Sequence, residues 1–251
     1  MELKGKIALI TGGLSGIGAA TASELARLGA DIAIAGKGAG EEKKVKDITS
    51  KIEKFERKCF VVEGDLSIPD DASRIVDEVV EVFGGIDVLI HCAGGRVPGG
   101  LIELTPEAWY KAFDIHVHAV FHLCRAAGPH MQKRGEGAIV LISSAGGLRG
   151  CKGAIAYDVV KGAIPQFTRD LAREFADDNI RVNAVAPGII RTPFQDYLTP
   201  EQVKNNIENR IPLHREGKPE DVAQLIALLA TNEFITGEVV TIDGGMAMRI
   251  V

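Results

Sequence analysis

The sequence predicts an α/β protein built on an open, doubly wound parallel sheet with helices on both faces. Three observations carry that prediction. Seven short runs are apolar almost throughout, the pattern of strands buried on both faces of a sheet. Longer helical patterns alternate with them, the spacing of βαβ crossover units. The first run leads directly into a glycine loop, "TGGLSGIG" (11–18), that opens a helix.

Taken in order, "KIALIT" (6–11) is the first strand and 16–28 its crossover helix. "DIAIA" (31–35) precedes a helix over 40–57, and "CFVVEG" (59–64) one over 69–83. "IDVLIHC" (86–92) is followed by a long helix over 105–134, and "AIVLIS" (138–143) by one over 153–178. "IRVNAVA" (180–186), a helix over 218–230 and "EVVTID" (238–243) complete the set. One segment breaks the alternation. From Pro187 to Pro219 there are five prolines, a short amphipathic helix near 200–210 and no strand. An insertion after a strand's carboxyl end is where a substrate lid sits, here at about 189–215. No repeat, low-complexity tract or linker divides the chain, so residues 1–251 are expected to form a single domain.

The composition narrows the function classes. With 46% hydrophobic and 25% charged residues among 251, the chain has the balance of a soluble globular protein with a sizeable core. A net charge of −5 argues against nucleic acid as a partner. No apolar run reaches the length of a membrane span, and the start "MELKGKIALITGG" lacks the pattern of a signal peptide, so a cytoplasmic protein is expected. Cys59, Cys92, Cys124 and Cys151 are widely spaced, which suggests neither a disulfide framework nor a zinc site.

The glycine loop points to a dinucleotide. Gly12, Gly16 and Gly18 stand where the chain must turn tightly, approach a pyrophosphate with its backbone and pack the next helix on the sheet. A carboxylate closing the second strand would accept the ribose 2′-hydroxyl and repel a 2′-phosphate. Here that strand ends in Gly36 and Lys37, with no acid until Glu41, which favours NADP over NAD. Asp65, after the third strand, is an acceptor for the adenine amino group or else a turn residue.

"YDVVK" (157–161) places a phenol and an ammonium one helical turn apart, on one face. A tyrosine serves as a base near neutrality only if its phenolate is stabilised by about 4 kcal/mol. One neighbouring cation supplies roughly 1–4 kcal/mol and a helix N-terminus about 0.3–1 kcal/mol. Lys161 alone therefore falls short of, or barely reaches, what Tyr157 needs.

Together the motifs "TGGLSGIG", "CAG" (92–94), "ISS" (142–144), "YDVVK" and "NAVAPGIIRT" (183–192) resemble the classical short-chain dehydrogenase/reductase family, a likeness that continues to "TGEVVTIDGG" near the end. The resemblance implies a seven-stranded Rossmann sheet, a homodimer or homotetramer, and hydride transfer between NAD(P)(H) and a small alcohol or carbonyl substrate. It implies that Ser144 hydrogen-bonds the substrate oxygen, that Tyr157 is the acid/base, and that Lys161 binds the nicotinamide ribose and lowers the tyrosine pKa. It also implies a cofactor surface made of Gly12, Leu14, Ser15, Gly16, Ile17, Gly18, Lys37, Asp65, Leu66, Cys92, Ala93, Gly94, Tyr157, Lys161, Pro187, Gly188, Ile190 and Thr192. An oxidised nicotinamide adds a positive charge beside the phenol, so lysine and cofactor together supply the shift.

The chain departs from the family pattern in three places. His91 and Cys92 precede "AG" where the family commonly has two asparagines. His116, within "FDIHVHAVF", stands where the family has the asparagine that helps hold a water joining the lysine to solvent. Histidine also donates and accepts hydrogen bonds, so His116 is a candidate catalytic residue. Pro165 removes the helical hydrogen bond to the carbonyl of Lys161. His118 and His122, four apart, lack a third ligand, and no metal is expected. Arg96 and Arg149 suit an acidic or polyhydroxylated substrate, Phe194 and Tyr197 an apolar one. The sequence leaves open two other readings: an epimerase or dehydratase on the same scaffold, and a non-catalytic NADP(H)-binding regulator.

Overall fold

A computed structural model describes residues 1–37 and 41–248. Seven strands, β1 (Ile7–Thr11), β2 (Asp31–Gly36), β3 (Cys59–Glu63), β4 (Val88–His91), β5 (Gly137–Ile142), β6 (Ile180–Pro187) and β7 (Val239–Ile242), form one sheet. Its order is β3-β2-β1-β4-β5-β6-β7, and every pairing is parallel. The chain winds outward from β1 in one direction and from β4 in the other, so a crevice opens between their carboxyl ends.

Period-two alternation sorts the strand residues between two cores. Leu9, Leu89, Ile139 and Leu141 face the layer that holds α3 (Pro69–Phe83), α5 (Ala119–Arg134) and α7 (Ile155–Glu174). Ala8, Ile10, Val88, Ile90 and Val140 face α1 (Gly16–Arg27), α2 (Glu42–Glu53) and α9 (Pro219–Thr231). Because both faces are covered, these strands carry almost no polar residues, which is why they read as continuous apolar runs. The buried Arg181 of β6 donates to the carbonyls of Leu229 and Ala230, both at 2.6 Å, and so satisfies the last turn of α9.

Several expected elements changed. The helix expected over 40–57 is α2, which stops at Glu53; Glu56 has φ 57°, and position 40 lies outside the described residues. The helix expected over 105–134 is α4 (Pro106–Phe113) and α5 joined by a π-helical turn, Asp114–His118. There the N–H of Ala119 bonds to the Asp114 carbonyl instead of that of Ile115. Between β5 and the helix expected over 153–178 lies a short helix, α6 (Ala145–Arg149). In the proline-rich segment, α8 (Pro200–Asn205) carries a capping box from Thr199 and Gln202 and runs on as a π-helical turn, Asn206–Arg210. Among the described residues no helix is long and apolar enough to cross a membrane.

Candidate active site

The crevice beyond β1 and β4 is a cleft of about 1110 Å³. Every residue anticipated for catalysis or cofactor binding lines it, from Gly12 through Lys37 and Asp65 to Thr192. The glycine loop forms its floor. A Cβ on Gly12 would fall 2.8 Å from the Ala93 nitrogen and one on Gly18 would fall 2.3 Å from the Gly12 carbonyl oxygen, so both positions exclude any side chain. Thr192, from the proline-rich segment, comes down onto the same loop, its Cβ 3.2 Å from where Gly16 would carry one. Ile190 is held by a bridge to Gly217. A backbone cradle between a strand and a helix N-terminus, open to a cleft this size, fits the diphosphate and two nucleosides of a dinucleotide.

At the end of the cleft beyond β2 and β3, Lys37 and Asp65 meet in an ion pair of 2.7 Å, with the lysine largely exposed. Asp65 also accepts from the Ser67 amide at 3.0 Å and hydroxyl at 2.6 Å, which makes it the turn residue before α3. These hydrogen bonds and the Lys37 charge outweigh burial and hold its carboxyl below the usual range. Lys44 and Glu41 pair at 2.6 Å on the same wall.

At the other end three elements converge. Ser144 follows β5 as N-cap of α6, its hydroxyl oxygen accepting from the Gly146 amide at 3.1 Å. Tyr157 lies in the first turn of α7, near enough to Ser144 for that hydroxyl to act on its phenol. Burial pushes the phenol up to about 12; the Ser144 hydrogen bond opposes this, and Asp158 and Cys151 reinforce it. Lys161 is not among the groups that set this shift. The lysine nitrogen is 5.9 Å from the ring centroid and donates instead to the Ile142 carbonyl at 2.8 Å. Burial itself brings the Lys161 ammonium down to about 8.

His116 sits on the π-helical turn, 2% exposed, its ring edge-on to Tyr157 with centroids 5.7 Å apart. Nε2 donates to the Gly95 carbonyl at 3.0 Å, so Nδ1 is the unprotonated nitrogen; it is buried and has no hydrogen-bond partner. The ring packs on Gly94, where a Cβ would fall 2.3 Å from its Cε1. Burial first, then the Lys161 charge, hold this imidazole down to about 2.

His91 closes a buried chain that sequence reading had not assembled. The Thr11 hydroxyl donates to Nδ1 at 2.9 Å and accepts from the Ala93 amide at 3.2 Å, while Nε2 donates to the Ile115 carbonyl at 3.2 Å. That carbonyl is the one bypassed by the π-helical turn. The sequence signals for it are a histidine at the end of an apolar strand and its departure from the asparagine common in the family. Ser143, beside Ser144 in "ISS", is a second functional residue that the motif does not single out: its hydroxyl donates to the Lys161 carbonyl at 2.8 Å and so grips α7.

The remaining expectations divide. Arg96, Phe194 and Tyr197 line the cleft, whereas Arg149 does not. Cys151 is exposed at its rim, Cys124 is buried, Cys59 and Cys92 are half-buried, and all four are free. His118 pairs with Asp114 at 3.1 Å.

Comparison with known proteins gives a consistent picture. A family model described as enoyl-(acyl carrier protein) reductase matches residues 12–247. The chain is 38% identical to the 3-oxoacyl-acyl-carrier-protein reductase FabG of Thermotoga maritima, over 99% of this chain and 100% of that one. It is 35% identical to a tropinone reductase homolog of Arabidopsis thaliana, over 99% and 94%. Among solved structures, L-sorbose reductase from Gluconobacter frateurii, complexed with NADPH and L-sorbose, superposes with a TM-score of 0.91 at 29% identity, covering 100% of both chains. A blue fluorescent protein from a metagenomic library, in complex with NADPH, does so with a TM-score of 0.90 at 32% identity, covering 98% and 100%.

Proposed function

The chain belongs to the short-chain dehydrogenase/reductase family, and from that premise we propose that it reduces the carbonyl group of a small molecule with NADPH, Tyr157 supplying the proton. The observation that carries this reading is the convergence of Ser144, Tyr157, Lys161 and His116 in the cleft floored by the glycine loop. The phenol is protonated at neutral pH and so enters as the donor to a carbonyl oxygen as that oxygen gains charge; burial weakens it as an acid, and the Ser144 hydrogen bond opposes that effect. Ser144 directs the second hydrogen bond to that oxygen and so orients the carbonyl. When bound, the nicotinamide supplies the hydride. Lys161 holds the ribose beside it, its ammonium kept in place by the Ile142 carbonyl. His116 fixes the loop after β4 through Gly95 and offers Nδ1 as an acceptor for a water near the lysine.

The NADP preference rests on Gly36 and Lys37. β2 ends without a carboxylate, and a 2′-phosphate can take Lys37 from Asp65, exchanging one anionic partner for another. The relatives crystallised with NADPH support it. Assembly as a homodimer or homotetramer is supported by large apolar side chains left exposed, Leu228 on α9 with Phe234 after it, Phe121 on α5 and Val159 on α7.

The test is a panel of carbonyl compounds followed by loss of the reduced-nicotinamide absorbance, with both cofactors. NADPH should be consumed in step with alcohol formed, and Tyr157→Phe should abolish turnover while still binding NADPH. Product formed without net loss of NADPH would point to epimerase or dehydratase chemistry instead. Lys37→Ala should narrow the preference for NADPH over NADH.

A further inference from the structure

Building on the carbonyl-reductase reading, we propose that the substrate carries an anionic group, a carboxylate or a phosphate, held at the mouth of the cleft by Arg96 and Arg210. The argument is a contrast between the two ends of one cleft. At the adenosine end Lys37 and Lys44 each have a carboxylate partner. Beyond Tyr157 the lining cations Arg96, Lys152 and Arg210 have none within ion-pair distance among the described residues. Lys111, a turn after Glu107, feels that carboxylate. The one acid lining this end, Asp158, accepts the Cys151 amide at 2.5 Å and so braces the rim loop.

Both arginines are held in place. The guanidinium carbon of Arg96, on the loop after β4, lies 3.1 Å from the ring centroid of Tyr197, which belongs to the proline-rich segment. A guanidinium stacked on a ring has one face covered and its N–H edge directed outward, the geometry that takes a carboxylate or phosphate in two parallel hydrogen bonds. Arg210 donates to Oδ1 of Asn206 at 2.9 Å, and Asn206 is 2% exposed, so a buried amide fixes the direction of the second cation. Its charge reaches Cys151 on the opposite rim.

The position relative to the reacting group follows from the aromatic wall. Phe194 packs against Tyr157 with ring centroids 5.9 Å apart, and Tyr197 is near enough to act on the Tyr157 phenol. The anion site and the proton donor are thus separated by little more than one aromatic side chain. A carbonyl compound with a spacer of a few carbons before its anionic group would reach both. Three unpaired cations around a cleft mouth also raise the local concentration of such a ligand.

The experiment uses the NADPH-loaded enzyme and matched pairs: 4-oxopentanoate against its methyl ester, and dihydroxyacetone phosphate against dihydroxyacetone. In at least one pair the anion should have kcat/KM higher by roughly tenfold or more, mainly through KM, as expected for a charge-assisted hydrogen bond. Arg96→Leu should bring that ratio close to one, and high salt should lower it. The two pairs distinguish carboxylate from phosphate. Equal rates within both pairs, or a ratio that survives in Arg96→Leu, would overturn the anion site while leaving carbonyl reduction intact. Failure to reduce any of the four compounds, with NADPH binding demonstrated by fluorescence, would count against the carbonyl-reductase reading itself and take the anion site with it.

Discussion

The Ser143 hydroxyl donates to the Lys161 carbonyl oxygen at 2.8 Å, supplying the partner that Pro165 cannot. α7 runs unbroken through Pro165, with Thr168 donating to the Ile164 carbonyl at 2.8 Å in the following turn. Gly147 closes on the same point: a Cβ there would fall 2.6 Å from the Lys161 carbonyl carbon. The backbone of α7 at Lys161 is therefore held by Ser143, at the end of β5, and by α6, which sets where the lysine ammonium can reach.

Ser143→Ala should lower stability by about 1–3 kcal/mol, the cost of leaving a buried carbonyl unpaired. Pro165→Ala restores the helical N–H, so the serine change should cost less in that background. Denaturant midpoints of the two single variants and the double variant measure the coupling. Additive effects would show that the serine and the proline are independent.

Lys161 gives activity and stability opposite responses to alkali. Burial lowers its pKa to about 8 in the folded chain, against ~10.4 when unfolded. Between those values the unfolded chain binds more protons, so this group's contribution to stability rises with pH by roughly 3 kcal/mol in total. Over the same window the ammonium proposed to hold the ribose is lost, and kcat/KM for reduction should fall. The stability of wild type minus that of Lys161→Met, across pH ~7 to ~10, isolates the first effect, and a pH–rate profile reads the second.

His91 should make the protein sensitive to acid. Burial, with the Lys161 charge, lowers its pKa to about 4. The unfolded chain takes up a proton near pH ~6.5 that the folded chain refuses, so stability is lost as pH falls from ~6.5 towards ~4 by about 3 kcal/mol. His91→Asn, which retains a donor for the Ile115 carbonyl, should flatten this dependence in thermal melts taken across the acid range.

Gly94 and His116 are a matched pair. Gly94 has φ +150° and no room for a methyl group against the imidazole, so Gly94→Ala should displace His116 and lower both cofactor binding and turnover. Combining it with His116→Ala should restore part of the binding. Alone, His116→Asn should keep activity and His116→Ala should lose part of it. Full turnover by the alanine variant would remove His116 from the mechanism.

The sequence by itself determined the sheet, the crevice and the set of residues around it. Strands buried on both faces are apolar along their whole length, and a loop packed this tightly at Gly12 and Gly18 admits only glycine there, so both requirements are written locally at 6–11 and 12–18. Tyr157 and Lys161 were legible for the same reason, being one turn apart on one helix. What the tertiary structure decided were the contacts between distant segments and the charge states they impose. That Lys161 faces Ile142, that Lys37 is already paired with Asp65, and that His91 bonds the carbonyl bypassed by a π-helical turn each depend on elements far apart in the chain. Burial, which sets the Tyr157 and Lys161 pKa values, is a property of the packed assembly and has no local signature. The stacking of Arg96 on Tyr197, joining two loops a hundred residues apart, belongs to the same class, and only the folded chain brings it into being.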